Sequence, residues 1–192
     1  HSLTRVADRD PRPRVVTLVL CTRDGQVLGA LEPFEATMPY WQDLRDVTAG
    51  ARARHGIEVT VLRLLEHQLP FPGGPVTYLA EFDGPTPAGL RAWPGDPTAP
   101  EPLRLPYAAP GGPAADVQWA TAALAGLGIA VTGPPQQLRT WNLSAITSIP
   151  TVQGPAWLKC VPPFFGHEGA LMQRLGPVDV PEVLATDGAR IL

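Results

Sequence analysis

A chain of 192 residues, 44% hydrophobic and 17% charged, fits one or two folded domains with a real core and is not compositionally disordered as a whole. A formal net charge of -3, with no basic stripe and no arginine cluster interleaved with aromatics, argues against nucleic acid as the main partner. No apolar run approaches membrane-span length and no apolar signal segment opens the chain, so the expectation is a cytoplasmic protein with no membrane partner; the two isolated thiols, Cys21 and Cys160, fit a reducing compartment and lack metal-ligand spacing.

Residues 1–13 read as a tail, and residues 14–133 as one α/β unit. Val15 to Cys21 is a strand rich in β-branched residues, Asp24-Gly25 a hairpin turn, and Gln26 to Leu31 the partner strand. Trp41, Leu44, Val47, Ala51 and His55 recur at three- and four-residue spacing, which predicts a helix. Pro39 stands near its start, Asp43 in its first turn and Gly56 at its stop. Strands follow at Val59 to Leu69 and Val76 to Phe82. Residues 85–113 hold nine prolines and read as an irregular, partly extended excursion. A second helix, with Val117, Ala120, Leu124 and Leu127 on one face, closes the unit, and Gly126 and Gly128 fray its end. Trp41 and Tyr40 are candidate pocket-lining residues.

The last segment, residues 134–192, holds Lys159, the one lysine of a chain with fourteen arginines. It lies in the apolar run Ala156 to Val161, where alternation puts Trp157, Lys159 and Val161 on one face. A compact, flexible ammonium is suited to phosphate oxygens, while an edge-strand lysine that deters aggregation reads the same way. Nine residues on, Glu168 begins a helical pattern with Leu171, Met172 and Leu175, ended by Gly176-Pro177. Glu168 on that apolar stripe faces inward and needs a partner, which Lys159 can supply; a glutamate favoured at a helix N-terminus is the alternative. Ser144, Thr147 and Ser148 are hydroxyl donors in the preceding hairpin region, or ordinary turn polar residues.

Two resemblances extend this reading. Trp141-Asn142-Leu143-Ser144, Ile149-Pro150-Thr151, Gly154 to Lys159 and Pro162-Pro163-Phe164-Phe165 with His167-Glu168 resemble the start of aminoglycoside phosphotransferase-like kinases of actinobacteria. Val180 to Ala185 and Ile191-Leu192 look like the rest of that family's small lobe, up to the hinge. The resemblance implies a β-rich small lobe truncated at the hinge. In it Lys159 contacts ATP phosphates, Glu168 orients it, Ser144 and Ser148 lie over the phosphates, and Leu192 leads to the adenine. ATP with magnesium is then the cofactor of the full-length parent, a nucleotide and an unidentified small-molecule acceptor are its partners, and an exposed lobe surface allows a homo-oligomer. The same family needs a catalytic aspartate with a nearby asparagine and a magnesium-binding aspartate. No matching string occurs here, so no catalytic and no metal residue is assigned.

The order hairpin, loop, helix, glycine stop, long strand, strand and late helix in residues 14–133 resembles the Nudix fold. That family's magnesium box needs an Arg-Glu and a Glu-Glu pair on the helix. With its closing glycine at Gly56, Ala49-Gly50 and Ala53-Arg54 occupy those places. Arg52, Arg54 and His55 make the face cationic, as a solvated helix face or an anion site. The expected fold class is therefore α+β: a Nudix-like α/β/α domain without its catalytic box, then a kinase-like small lobe. The expected function is the N-terminal part of an ATP-dependent phosphotransferase, and the other reading is a non-catalytic Nudix-like ligand-binding or interaction module.

Overall fold

The computed structural model describes residues 12–68, 72–176 and 180–192. The expected strand end at Leu69, the loop residues Pro70 and Phe71, Pro177, and most of the N-terminal tail lie outside the described residues. The fold is mixed α+β, with two mostly antiparallel sheets and few helices.

The first sheet runs β2 (Val27–Ala30), β1 (Arg14–Cys21), β5 (Gly74–Phe82), β4 (Val59–His67), and the short β3 (Phe34–Ala36) pairs with the start of β1. β1 and β5 are parallel; the other pairs are antiparallel. β1 is apolar on both faces, as a central strand must be. Val16, Leu18 and Leu20 join a core with Phe34, Leu44, Val47 and Ala51, while Val19 and Cys21 join Leu62 and Leu79 on the other side.

Helix α1 (Arg45–His55) covers the first of these faces and ends at Gly56, whose φ of 68° is the left-handed conformation that favours glycine. It starts four residues later than the spacing from Trp41 suggests. One cause is the buried Arg14, which nothing in the sequence marks out. Arg14 donates through Nε to the Met38 carbonyl at 2.6 Å and through Nη1 to the Tyr78 hydroxyl at 2.7 Å, and that hydroxyl donates to the Trp41 carbonyl at 2.7 Å. These bonds hold residues 38–41 as an extended turn, and the backbone of residues 42–44 is bonded to residues 138–140 through the Asp43–Arg139 bridge and the Leu44 N–H on the Leu138 carbonyl, so the helix forms only beyond them. Gly50 lets the helix approach closely, since a Cβ there would lie 2.4 Å from the Phe34 ring.

The second sheet runs β6 (Gln136–Trp141), β7 (Ser144–Thr151), β8 (Gly154–Cys160), β9 (Arg190–Ile191), all antiparallel. Between β5 and β6 the proline-rich excursion is irregular apart from a 3-10 turn at Pro106–Ala108 and a bridge from Arg91 to Ala30. Helix α2 (Gly112–Gly126) follows. The sequence reading has it closing the first unit, yet its buried face packs on the second sheet. Ala120 and Leu124 share a cluster with Tyr107, Ala145, Ile149, Ala156, Leu158, Cys160 and Leu192. Leu127, expected on that face, is the C-terminal cap and is exposed.

Candidate functional site

Strand alternation and register decide which side chains share the face of β8 opposite α2. Ala156, Leu158 and Cys160 point into the α2 cluster, which leaves Trp157 and Lys159 on the other side. Ser148 stands opposite Trp157 and Ile146 opposite Lys159, so Ser144, Ile146 and Ser148 lie on the Lys159 face. Thr147 is on the α2 side with Ala145 and Ile149, and does not belong with the two serines. In β6 a bulge between Gln137 and Arg139 reverses the alternation: Gln137 pairs with Thr147, and Arg139 with Ile146. Arg139 is thus a second, exposed cation in the same row as Lys159, with Ile146 of β7 between them. Nothing short of the bulge would have revealed it in the sequence.

Helix α3 (Glu168–Leu175) crosses this face through its first turn. Gly169 is its buried residue; a Cβ there would lie 2.6 Å from Thr186 Oγ1 and 3.3 Å from Ile191 Cγ1. The tight seat fixes Glu168, whose Oε1 accepts from Lys159 Nζ. The two side chains are 34% and 30% exposed, so the pair is open to solvent on one side. The apolar stripe expected to face inward with Glu168 does not do so. Leu171 is 49% and Leu175 58% exposed, while Met172 is half-buried and borders a pocket with Pro181, Glu182 and Val183.

The five residues assigned from sequence fall into two groups. Lys159, Glu168, Ser144 and Ser148 belong to the same side of the sheet, with Lys159 and Glu168 in contact. Ser144 is buried, and its hydroxyl oxygen accepts from Trp141 Nε1 at 3.0 Å. Leu192 goes to the other side: its side chain joins the α2 cluster, its N–H donates to the Ala185 carbonyl at 2.9 Å, and its carbonyl accepts from Leu184 N–H at 2.7 Å. It thereby extends the β9 edge rather than bordering Lys159.

On α1 the cationic face is partly neutralised, since Arg52 Nη2 donates to Glu58 Oε2 at 2.7 Å and the pair holds the Glu58 carboxyl below its ordinary range. His55 packs edge-on against Phe34 and faces the Glu32 carbonyl. Among the described residues no group of three or more His, Cys, Asp or Glu side chains is placed to hold a metal ion. No helix among them is long and apolar enough to cross a membrane.

A lysine held by a carboxylate, with the Ser148 hydroxyl and the Arg139 cation on the same face of the sheet, can bind an anion such as a phosphate chain. Compared with models of protein families, with curated proteins and with solved structures, the chain matches none.

Proposed function

We propose that this chain is the N-terminal part of an ATP-dependent small-molecule phosphotransferase of the aminoglycoside phosphotransferase-like kind. Residues 134–192 are its small lobe, and residues 14–133 a Nudix-like unit without the magnesium box. The observation that carries the reading is the ion pair between Lys159 of β8 and Glu168 of the following helix. Kinases use a strand lysine held by a helix glutamate to fix the cation on ATP phosphates. The antiparallel order β6-β7-β8, a helix, and then β9 returning beside β8 is in keeping with such a lobe.

In this reading Lys159 neutralises phosphate charge and Glu168 keeps the ammonium in place. Ser148 offers a hydroxyl from the adjoining strand. Magnesium and the transfer step belong to groups that these 192 residues do not contain, so the role assigned to this segment is nucleotide positioning in a cytoplasmic enzyme. The exposed Trp157, Phe164, Leu171 and Leu175, on β8 and the segment that follows it, provide the apolar surface that a second lobe or another copy would cover.

The test is magnesium-ATP binding by the longest natural form of the protein. Lys159→Met is expected to weaken binding by about tenfold, the scale of one charge-assisted phosphate contact. Unchanged affinity sinks the proposal.

A further inference from the structure

A cavity of about 390 Å³ opens where β4, the segment around residues 101–108 and the β6–β7 turn meet. That is within the size range of small-molecule sites, which favour junctions between structural units. Its β6 residue Thr140 pairs with Ala145, on the α2 side of the sheet, and although Trp141 pairs with Ser144, neither Lys159, Glu168 nor Ser148 lines the cavity. An occupant of this cavity does not require the phosphotransferase reading, which rests on Lys159 and Glu168.

Its lining combines flat rings with cations. Trp41 and His67 stack with centroids 4.8 Å apart, tilted by 48°, and Trp141 borders the same space. Arg63 and Arg104 both line it. Arg63 Nη1 donates to the Ala108 carbonyl at 2.8 Å and Nη2 to the Pro97 carbonyl, which fixes its guanidinium in place. Burial, and then the neighbouring charge of Arg104, push Arg63 down to about 10. Arg104 Nη2 meets Glu101 Oε2 at 2.9 Å, but Glu101 is largely solvated, and Arg104 Nε is buried with no hydrogen-bond partner among the described residues. Two guanidiniums in a mostly apolar cavity, one with an unused donor, leave a positive excess that a neutral occupant would not relieve.

We infer that this cavity binds a small flat molecule carrying one anionic group, its ring against Trp41 and His67 and its anion toward Arg104 and Arg63. A carboxylate or a phosphate meets the requirement, since either accepts from a guanidinium edge. The occupant also touches both sheets, so it ties the β6–β7 turn to β4.

The whole chain, labelled so that the indole N–H signals of Trp41 and Trp141 are resolved by NMR, is titrated with benzoate, indole-3-carboxylate and phenyl phosphate, and with benzamide as the neutral counterpart. The expected result is movement of both indole signals with at least one anion at about millimolar affinity, and binding of benzamide at least about fivefold weaker. Arg104→Gln is expected to weaken the anion by about five- to tenfold. Whichever of carboxylate or phosphate binds tighter names the headgroup. No movement of either signal with any of the anions, or equal binding of benzamide, overturns the inference. Glu101→Gln is the second variant, should Arg104→Gln fail to fold. It removes the competing carboxylate at an exposed position, and tighter anion binding supports the site, whereas unchanged or weaker binding overturns it.

Discussion

The side-chain amide of Gln137 and the backbone of Val61 form a closed pair of hydrogen bonds: Nε2 donates to the Val61 carbonyl at 2.7 Å, and the Val61 N–H donates to Oε1 at 2.8 Å. β4 is the last strand of its sheet, and its free backbone groups would otherwise await a partner. One glutamine from the other sheet takes the place of a neighbouring strand at that point, helped by Thr140 Oγ1 on the Leu62 carbonyl. Gln137→Ala leaves a buried donor and acceptor unmatched and is expected to cost about 1–3 kcal/mol. Urea denaturation checks it: the midpoint should fall while the slope stays unchanged.

Gly169 sets the position of Glu168. Gly169→Ala places a methyl group against Thr186, a β-branched side chain that cannot swing away, and against Ile191. Helix α3 must lift, so the expected loss is about 1–3 kcal/mol despite the better helix propensity of alanine. The thermal midpoint reports the loss. A separate readout is the Lys159–Glu168 contact, whose coupling in a double-mutant cycle should shrink in the Gly169→Ala background.

Asp46 in the first turn of α1 accepts from the Thr37 hydroxyl at 2.6 Å and from the Met38 N–H at 2.7 Å. The Thr37 bond first, and then the Met38 bond, hold its carboxyl below the usual range. A depressed acid stabilises the fold above its unfolded value and loses that contribution as pH falls through its folded value. The stability gap between the protein and Asp46→Asn should be full at pH values above about 4 and close progressively in more acid solution, as followed by urea titration at several pH values. A constant gap across that range would contradict the assignment.

Cys21 and Cys160 are buried, and burial is the leading cause that raises both thiols. Cys21 is pushed up to about 12, with Glu81 adding to the effect, and Asp116 pushes Cys160 further. The thiolate is the reacting form, so neither cysteine should be alkylated by iodoacetamide in the native protein at neutral pH. Modification should appear only as the fold opens, and its rate should follow the denaturant concentration.

The strands were legible where one residue type reported one force. The β-branched run at Val15 to Cys21, the alternation around Trp157 and Lys159, and the stop at Gly56 each follow from local chemistry. So does the meeting of Lys159 with Glu168, because the strand and the helix it joins are adjacent in sequence. What stayed hidden depended on distant partners. Arg14 reads as one arginine among fourteen until its carbonyl acceptors at residues 38 and 41 are in place. The bulge that turns Arg139 toward Lys159 carries no glycine or proline to mark it. Leu171 and Leu175 keep an apolar spacing that their exposure does not honour, since periodicity records which residues share a face and not what that face meets. The cavity at Trp41 joins side chains from widely separated stretches of chain, and only the Trp41 wall had a sequence cue.

Helix α2 precedes the second sheet in the chain yet supplies the far wall of that sheet's core. A cut between residues 133 and 134, the natural place to divide the protein by its motifs, would strip Ile149 and Leu158 of Ala120 and Leu124 and also sever the brace at Gln137. Neither piece would keep its interior dry, so any effort to isolate the Lys159-bearing portion has to begin before the proline-rich excursion ends, at about residue 104, to carry Tyr107 and α2 along with it.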